Sequence, residues 1–200
     1  MFLRQIALEQ DIASGVPVDF TDPCSTRTTA TLPPYATALH LFRRYIAQVH
    51  VWWPFLHLPK LRRDLEAVYR NPASSADSQK FVVFAILALA SAESQSDQDY
   101  KRLMDLNNPE SYFRTCLRFI ECLYSHPQHV FKVQGFLLLG LWMLDSKVSS
   151  DCNDLWQLSR FIMSAAIEGG LHRQYASWHF SAEEQETRAR TWWCSYNLER

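Results

Sequence analysis

Two long apolar runs stand out in this chain, and the first is apolar around every side of the helix that it would form. The first, Phe81-Val82-Val83-Phe84-Ala85-Ile86-Leu87-Ala88-Leu89-Ala90, lies between Lys80 and Glu93; the second covers residues 136–144. A helix with no polar face has to be covered on all sides by other elements. Both stretches fall well short of the about 20 residues that cross a bilayer, so the cover has to be protein. On propensity alone residues 81–86 also suit a strand, but the Ala-rich continuation favours helix.

The remaining sequence supplies amphipathic partners. Pro33-Pro34 opens a helix whose stripe is Tyr35, Leu39, Phe42, Ile46, Val49 and Trp53, broken at Trp53-Pro54. A second starts near Pro59 and carries Leu61, Leu65, Val68 and Tyr69 on one side, with Lys60, Arg62, Arg63 and Arg70 elsewhere around it. Asn71-Pro72 ends it. Asn108-Pro109-Glu110 reads as N-cap, first helical residue and an acid facing the helix dipole. From there Tyr112, Cys116, Phe119, Ile120 and Leu123 form one stripe, stopped at His126-Pro127. Residues 130–144 and 155–167 give two more helices, the latter closed by Gly169-Gly170. Ser181-Ala182-Glu183-Glu184 is a capping box that starts a final helix running to Arg200. The expected fold is all-α, about seven or eight helices stacked as hairpins, with no sheet. Residues 1–31 read as a lead-in or linker, Thr-rich over 21–29, before a domain spanning 32–200.

Composition narrows the function. Lys plus Arg total 20 against 21 Asp plus Glu, a net charge of -1, which argues against a polybasic nucleic-acid binder. Hydrophobic residues at 48% exclude a disordered tail, and 14% aromatic residues suit a packed core. With 5 glycines and neither GxGxxG nor GxxxxGK[ST], Rossmann and P-loop chemistry are excluded. The five cysteines, Cys24, Cys116, Cys122, Cys152 and Cys194, are widely spaced and form no C-x-x-C, so local spacing builds no zinc site. An odd count fits a reducing, intracellular compartment. Neither a signal peptide nor a membrane span is evident, and no membrane partner is expected.

Several clusters are candidates for chemistry. His126 and His129 have Pro127 between them and no third ligand, and His172 and His179 add none, so turn and surface histidines are favoured over a metal site. Asp97-Gln98-Asp99 and Asp151-Cys152-Asn153-Asp154 read as caps and solvated loops rather than magnesium clusters. No G-x-S-x-G nucleophile motif occurs, and nothing calls for an enzyme. Arg43-Arg44 and Lys60 with Arg62-Arg63 read as solvated faces. In the last helix Glu184 with Arg188 and Glu186 with Arg190 are i, i+4 pairs, and Arg188 stands four residues from Trp192, within stacking reach.

Three blocks in order carry a resemblance. Leu32-Pro33-Pro34, Tyr45, His50, Trp53-Pro54-Phe55-Leu56-His57 and Pro59 resemble the opening of the fungal-specific transcription factor domain, the middle homology region of fungal binuclear zinc-cluster regulators. Ala165-Ala166-Ile167-Glu168-Gly169-Gly170-Leu171-His172-Arg173 is similar to that family's A-x-x-L-G-L-H-R. Glu183 through Arg188, Arg190, Trp192-Trp193, Tyr196, Leu198 and Arg200 are similar to its E-x-x-x-R-R-x-W-W-x-x-Y-x-L-D-R. Gly169 stands where the family usually has Leu, and Glu199 where it has Asp.

The resemblance implies a nuclear, non-enzymatic regulatory domain that controls transcription. In the family, DNA and zinc are bound by an N-terminal six-cysteine module; here Cys24 is the only cysteine before the domain, and no cofactor is expected in this chain. Against that pattern the chain reads as a fragment, a truncated gene model or a degenerate regulator. Expected family-motif residues are Gly170, Leu171, His172, Arg173, Arg188, Arg190, Trp192, Trp193, Tyr196 and Arg200. A small-molecule effector would be sought among Trp52, Trp53, Trp142 and Trp156. Homo- or heterodimerisation with a related regulator is a further expectation. The rival readings are a stand-alone helical small-molecule-binding protein or enzyme, and a DNA-free dimerisation partner of an intact regulator.

Overall fold

A computed structural model describes residues 30–92, 108–145, 152–173 and 179–200. Cys24, the Thr-rich lead-in and Asp97-Gln98-Asp99 lie outside these residues, as does Asp151. Among the described residues there are eight α-helices, one π-helical turn and no strand, as the periodicity predicts.

The helices are α1 (Tyr35–Tyr45), continued by a π-turn (Ile46–His50), α2 (Leu58–Arg70), α3 (Asp77–Ala92), α4 (Pro109–Leu117), α5 (Cys122–Ser125), α6 (His129–Asp145), α7 (Cys152–Glu168) and α8 (Ala182–Glu199). The two long apolar runs become α3 and α6, and they occupy the centre. Every residue from Phe81 to Ser91 is buried. Around α3 pack α1, α2, α4, α5 and α6; around α6 pack α3, α5, α7 and α8. A helix without a polar face has no stable place except between others, and α3 takes that place.

Glycines permit the closest approaches to α6. A Cβ on Gly135 would meet Leu123 Cδ2 at 2.2 Å, and one on Gly140 would meet Leu198 Cδ2 at 2.7 Å. At one edge the Ala30 amide donates to Thr115 Oγ1 at 2.8 Å, fastening the start of the described chain to α4.

Three elements differ from the periodicity. The first helix ends at Tyr45 and turns π-helical, and its buried face is Ala38, Leu41, Phe42 and Tyr45. The stripe read from sequence lies beside that face: Tyr35 is exposed, and Leu39, Ile46, Val49 and Trp53 are only partly buried. Ala38 is fully buried, and its small size suits close contact with α3. The stripe from Tyr112 to Leu123 is split into α4 and α5. Between them Arg118, Phe119 and Ile120 donate to carbonyls three residues back, tightening the turn. α7 begins at Cys152, three residues earlier than expected, with Asp154 in its first turn.

Candidate functional site

α8 begins where the sequence places it. Ser181 Oγ accepts from the Glu184 amide, and the Glu184 carboxylate accepts from the Ser181 amide, completing the capping box. These bonds hold the Glu184 carboxyl below the usual carboxylate range. The helix then packs on α6 and α7.

The second motif block ends α7 in a Schellman turn. Leu171 N–H donates to Ala166 O, Gly170 N–H donates to Ile167 O, and Gly170 has φ 65°. Leu171 is buried at that turn. Arg188 reaches back from α8: its Nη2 donates to Gly169 O at 2.9 Å and to Gly170 O at 3.2 Å. The guanidinium lies 4.5 Å from the Phe180 ring centroid, not over Trp192, which the i, i+4 spacing suggests. Trp192 instead has its ring 5.5 Å from that of His172. Burial lowers the Arg188 pKa, with Glu184 opposing, yet a guanidinium remains charged. A cation donating to the carbonyl end of α7 is also well placed against the helix dipole.

The first block meets the same helix. Gln134 of α6 donates through Nε2 to Phe55 O at 2.7 Å and to Thr191 Oγ1 at 3.2 Å. His57 Nδ1 lies 3.1 Å from Glu183. Thus all three blocks, more than 100 residues apart in sequence at their extremes, converge on α8. Gln134 belongs to none of them, and periodicity hides it inside an apolar helix; a lone amide in such a run is the one available signal. Replacing it by leucine leaves the buried Phe55 carbonyl without its donor. Thermal unfolding of Gln134→Leu is expected to show a loss of about 1–3 kcal/mol.

The other motif residues lie toward the surface. Arg190 pairs with Glu186 at 2.7 Å, as the spacing predicts. Trp193 is 59% exposed and meets Tyr196 edge-on. Arg200 lies over Tyr196 and donates to its hydroxyl. Arg160 of α7 pairs with Glu199 and sits near the Trp156 ring. Arg173 donates to His172 Nε2 at 3.0 Å.

The four tryptophans proposed for an effector occupy separate surroundings. Trp142 is buried and stacked on Phe113 at 4.7 Å. Trp53 is partly buried against the core, while Trp52 and Trp156 are 76% and 60% exposed. No ring contact joins any two of them among the described residues. A small apolar pocket lies elsewhere, between α1, α2 and α3, lined by residues including Phe42, Leu61, Leu65 and Ile86.

Among the described residues no three His, Cys, Asp or Glu side chains are grouped to hold a metal ion. Burial pushes the Cys116 thiol up, and the Cys122 and Cys194 thiols up to about 11, which suits packing rather than thiolate ligation. These residues do not fit a zinc cluster. No helix among them is long and apolar enough to cross a membrane.

His50 and His126 give the domain a pH dependence. Burial first, then Arg190, lowers the His50 pKa; burial first, then Lys60, lowers that of His126. Below about pH 6.5 the unfolded chain therefore binds more protons than the folded one, and stability falls with pH. A melting-temperature series from pH 7.5 to 5 is expected to decline below about pH 6.5, less steeply in His50→Gln.

Three motif blocks far apart in sequence thus converge on one helix of an all-helical domain. The family model described as the fungal specific transcription factor domain matches residues 40–200, and the chain belongs to that family. An uncharacterized transcriptional regulatory protein of Schizosaccharomyces pombe is 24% identical over 157 residues, covering 78% of this chain and 25% of the relative. A putative transcriptional regulatory protein of Saccharomyces cerevisiae is 22% identical over 204 aligned positions, covering 98% and 26%. The aurofusarin cluster transcription factor of Gibberella zeae is 26% identical over 176 residues, covering 84% and 25%. The chain thus spans about a quarter of the length of these curated relatives. No solved structure matches at comparable stringency.

Proposed function

We propose that this chain is the regulatory domain of a zinc-cluster transcription factor, acting in the nucleus on an attached DNA-binding segment. In this reading it is not an enzyme, and it touches neither zinc nor DNA itself. The observation that supports it is the convergence of the three motif blocks on α8 through Arg188, Gln134 and His57. Such a junction couples the two ends of the domain mechanically, so a change at one is felt at the other. The relatives' names, all transcriptional regulators, agree with this reading. An effector or a related subunit would act by shifting the balance between two packings of α8, as any ligand must.

The test is a fusion of the full chain to a heterologous DNA-binding domain, with a reporter gene read in a fungal host. Reporter output is expected to differ from that of the DNA-binding domain alone, and to change again in Gln134→Leu at matched protein level. Output indistinguishable from the DNA-binding domain alone overturns the proposal.

A further inference from the structure

Tyr45 and His50 bring two buried polar groups to this junction that take no part in the bonds of Arg188, Gln134 and His57. Tyr45 is fully buried and His50 is 8% exposed, yet neither Tyr45 Oη nor His50 Nδ1 has a hydrogen-bond partner among the described residues. Each such group, shut away from water, ordinarily costs about as much as a lost hydrogen bond, so paired orphans call for a cause. The two stand together, with ring centroids 6.1 Å apart and planes inclined at 48°.

The backbone between them is the π-turn Ile46–His50. A π-turn holds one more residue than an α-turn does, and so rotates the chain beyond it; such turns often mark functional positions. Here the turn brings His50 into the interior beside Tyr45. From α8, Arg190 acts electrostatically on His50 and Cys194 on Tyr45. Burial and the Arg190 charge both disfavour the imidazolium, so His50 is neutral and keeps one ring nitrogen as an acceptor. The phenol is likewise neutral, because burial drives its pKa upward, and it can donate.

We propose that one small hydroxylic group is bound at the π-turn, donating to His50 Nδ1 and accepting from Tyr45 Oη. With the His50 proton on Nε2, a hydroxyl matches both partners at once, whereas a carboxylate offers no proton to Nδ1 and an ammonium offers no lone pair to the phenol. Water and the alcohol end of a small molecule share that chemistry, and buried water commonly satisfies such groups. The guest would tie the end of α1 to the end of the π-turn, within the first motif block.

Two measurements on the full chain decide it. The first is a double-mutant cycle in thermal unfolding with Tyr45→Phe, His50→Leu and the pair. A shared guest predicts that Tyr45→Phe lowers the melting temperature by about 2–6 °C, and that the pair loses clearly less than the sum of the singles. An unpartnered phenol predicts the opposite, since its removal relieves a cost: a melting temperature unchanged or raised, with additive effects, overturns the proposal. The second is a crystal structure grown without alcohols. Density within hydrogen-bond distance of both Tyr45 Oη and His50 Nδ1 supports the site, as isolated water or as an extended molecule. A direct bond between the two side chains, or either one bonded to protein alone, overturns it even if the cycle is non-additive. Ethanol and glycerol, titrated in the thermal assay, separate the two sources: a saturable rise lost in Tyr45→Phe identifies an alcohol site, and its absence identifies water.

Discussion

Arg188→Met is expected to lower the melting temperature by about 4–8 °C. The substitution keeps much of the apolar stem but removes two charge-assisted bonds, to Gly169 O and Gly170 O. Bonds of this kind contribute about 1.5–3 kcal/mol to stability, and in a domain of this size each kcal/mol moves the transition by about 2–4 °C. Gly169 O sits just past the end of α7, where the helix has no internal donors left to offer, while Gly170 O also accepts from the Arg173 amide. Arg188→Lys should recover only part of the loss, because an ammonium lacks the planar fork that spans two acceptors. Arg190→Met is the control. Its partner Glu186 is a surface i, i+4 pair at 2.7 Å, and exposed pairs contribute no more than about 1 kcal/mol. Equal losses at 188 and 190 would show that the link between α7 and α8 carries no special weight.

The second large effect is expected at Gly135. In an exposed helix, Gly to Ala would stabilise by about 1 kcal/mol. In α6 the new methyl would lie 2.2 Å from Leu123 Cδ2 and 2.9 Å from Cδ1. Leu123 is fully buried, so it has little freedom to move aside. Gly135→Ala should therefore destabilise by about 1–3 kcal/mol, against the propensity trend. Leu123→Ala alone costs about 2–5 kcal/mol through the cavity that it opens. Combined, the two changes should be less harmful than their sum, because the alanine methyl enters the space that leucine leaves. Denaturant unfolding of the four proteins measures this directly, and strict additivity would exclude the clash.

Much of the architecture is legible without coordinates. The unbroken apolar run of residues 81–90 requires a covered helix, and α3 is buried along its whole inner length. Local chemistry marks the helix ends equally well: Asn108 accepts from the Glu110 amide, and Ser181 with Glu184 forms the reciprocal cap. Such features depend on residues within four positions of one another, which is the range that a sequence displays openly. The turn at Tyr45 is not visible there, because a π-turn has no composition of its own. Nor is the break after Leu117, since the same apolar spacing continues across it into α5.

The candidate junction is legible only as separate pieces. Its motif residues can be named, but the spacing of Arg188 points to Trp192, whereas the guanidinium goes to the end of α7 and to Phe180. Gln134 stays hidden because one amide barely alters the character of an apolar helix. The four tryptophans share a residue type and nothing else that places them together.

Residue order alone thus settles that this chain is helical, that the run of residues 81–90 must be a covered helix, where most helices begin, and which family it resembles. Those properties come from short-range hydrogen bonding and from the count of polar faces. Only in three dimensions do three distant blocks meet on α8, through Arg188, Gln134 and His57. Contacts of that kind depend on how helices rotate and cross when they pack, and no local pattern of residues encodes that rotation.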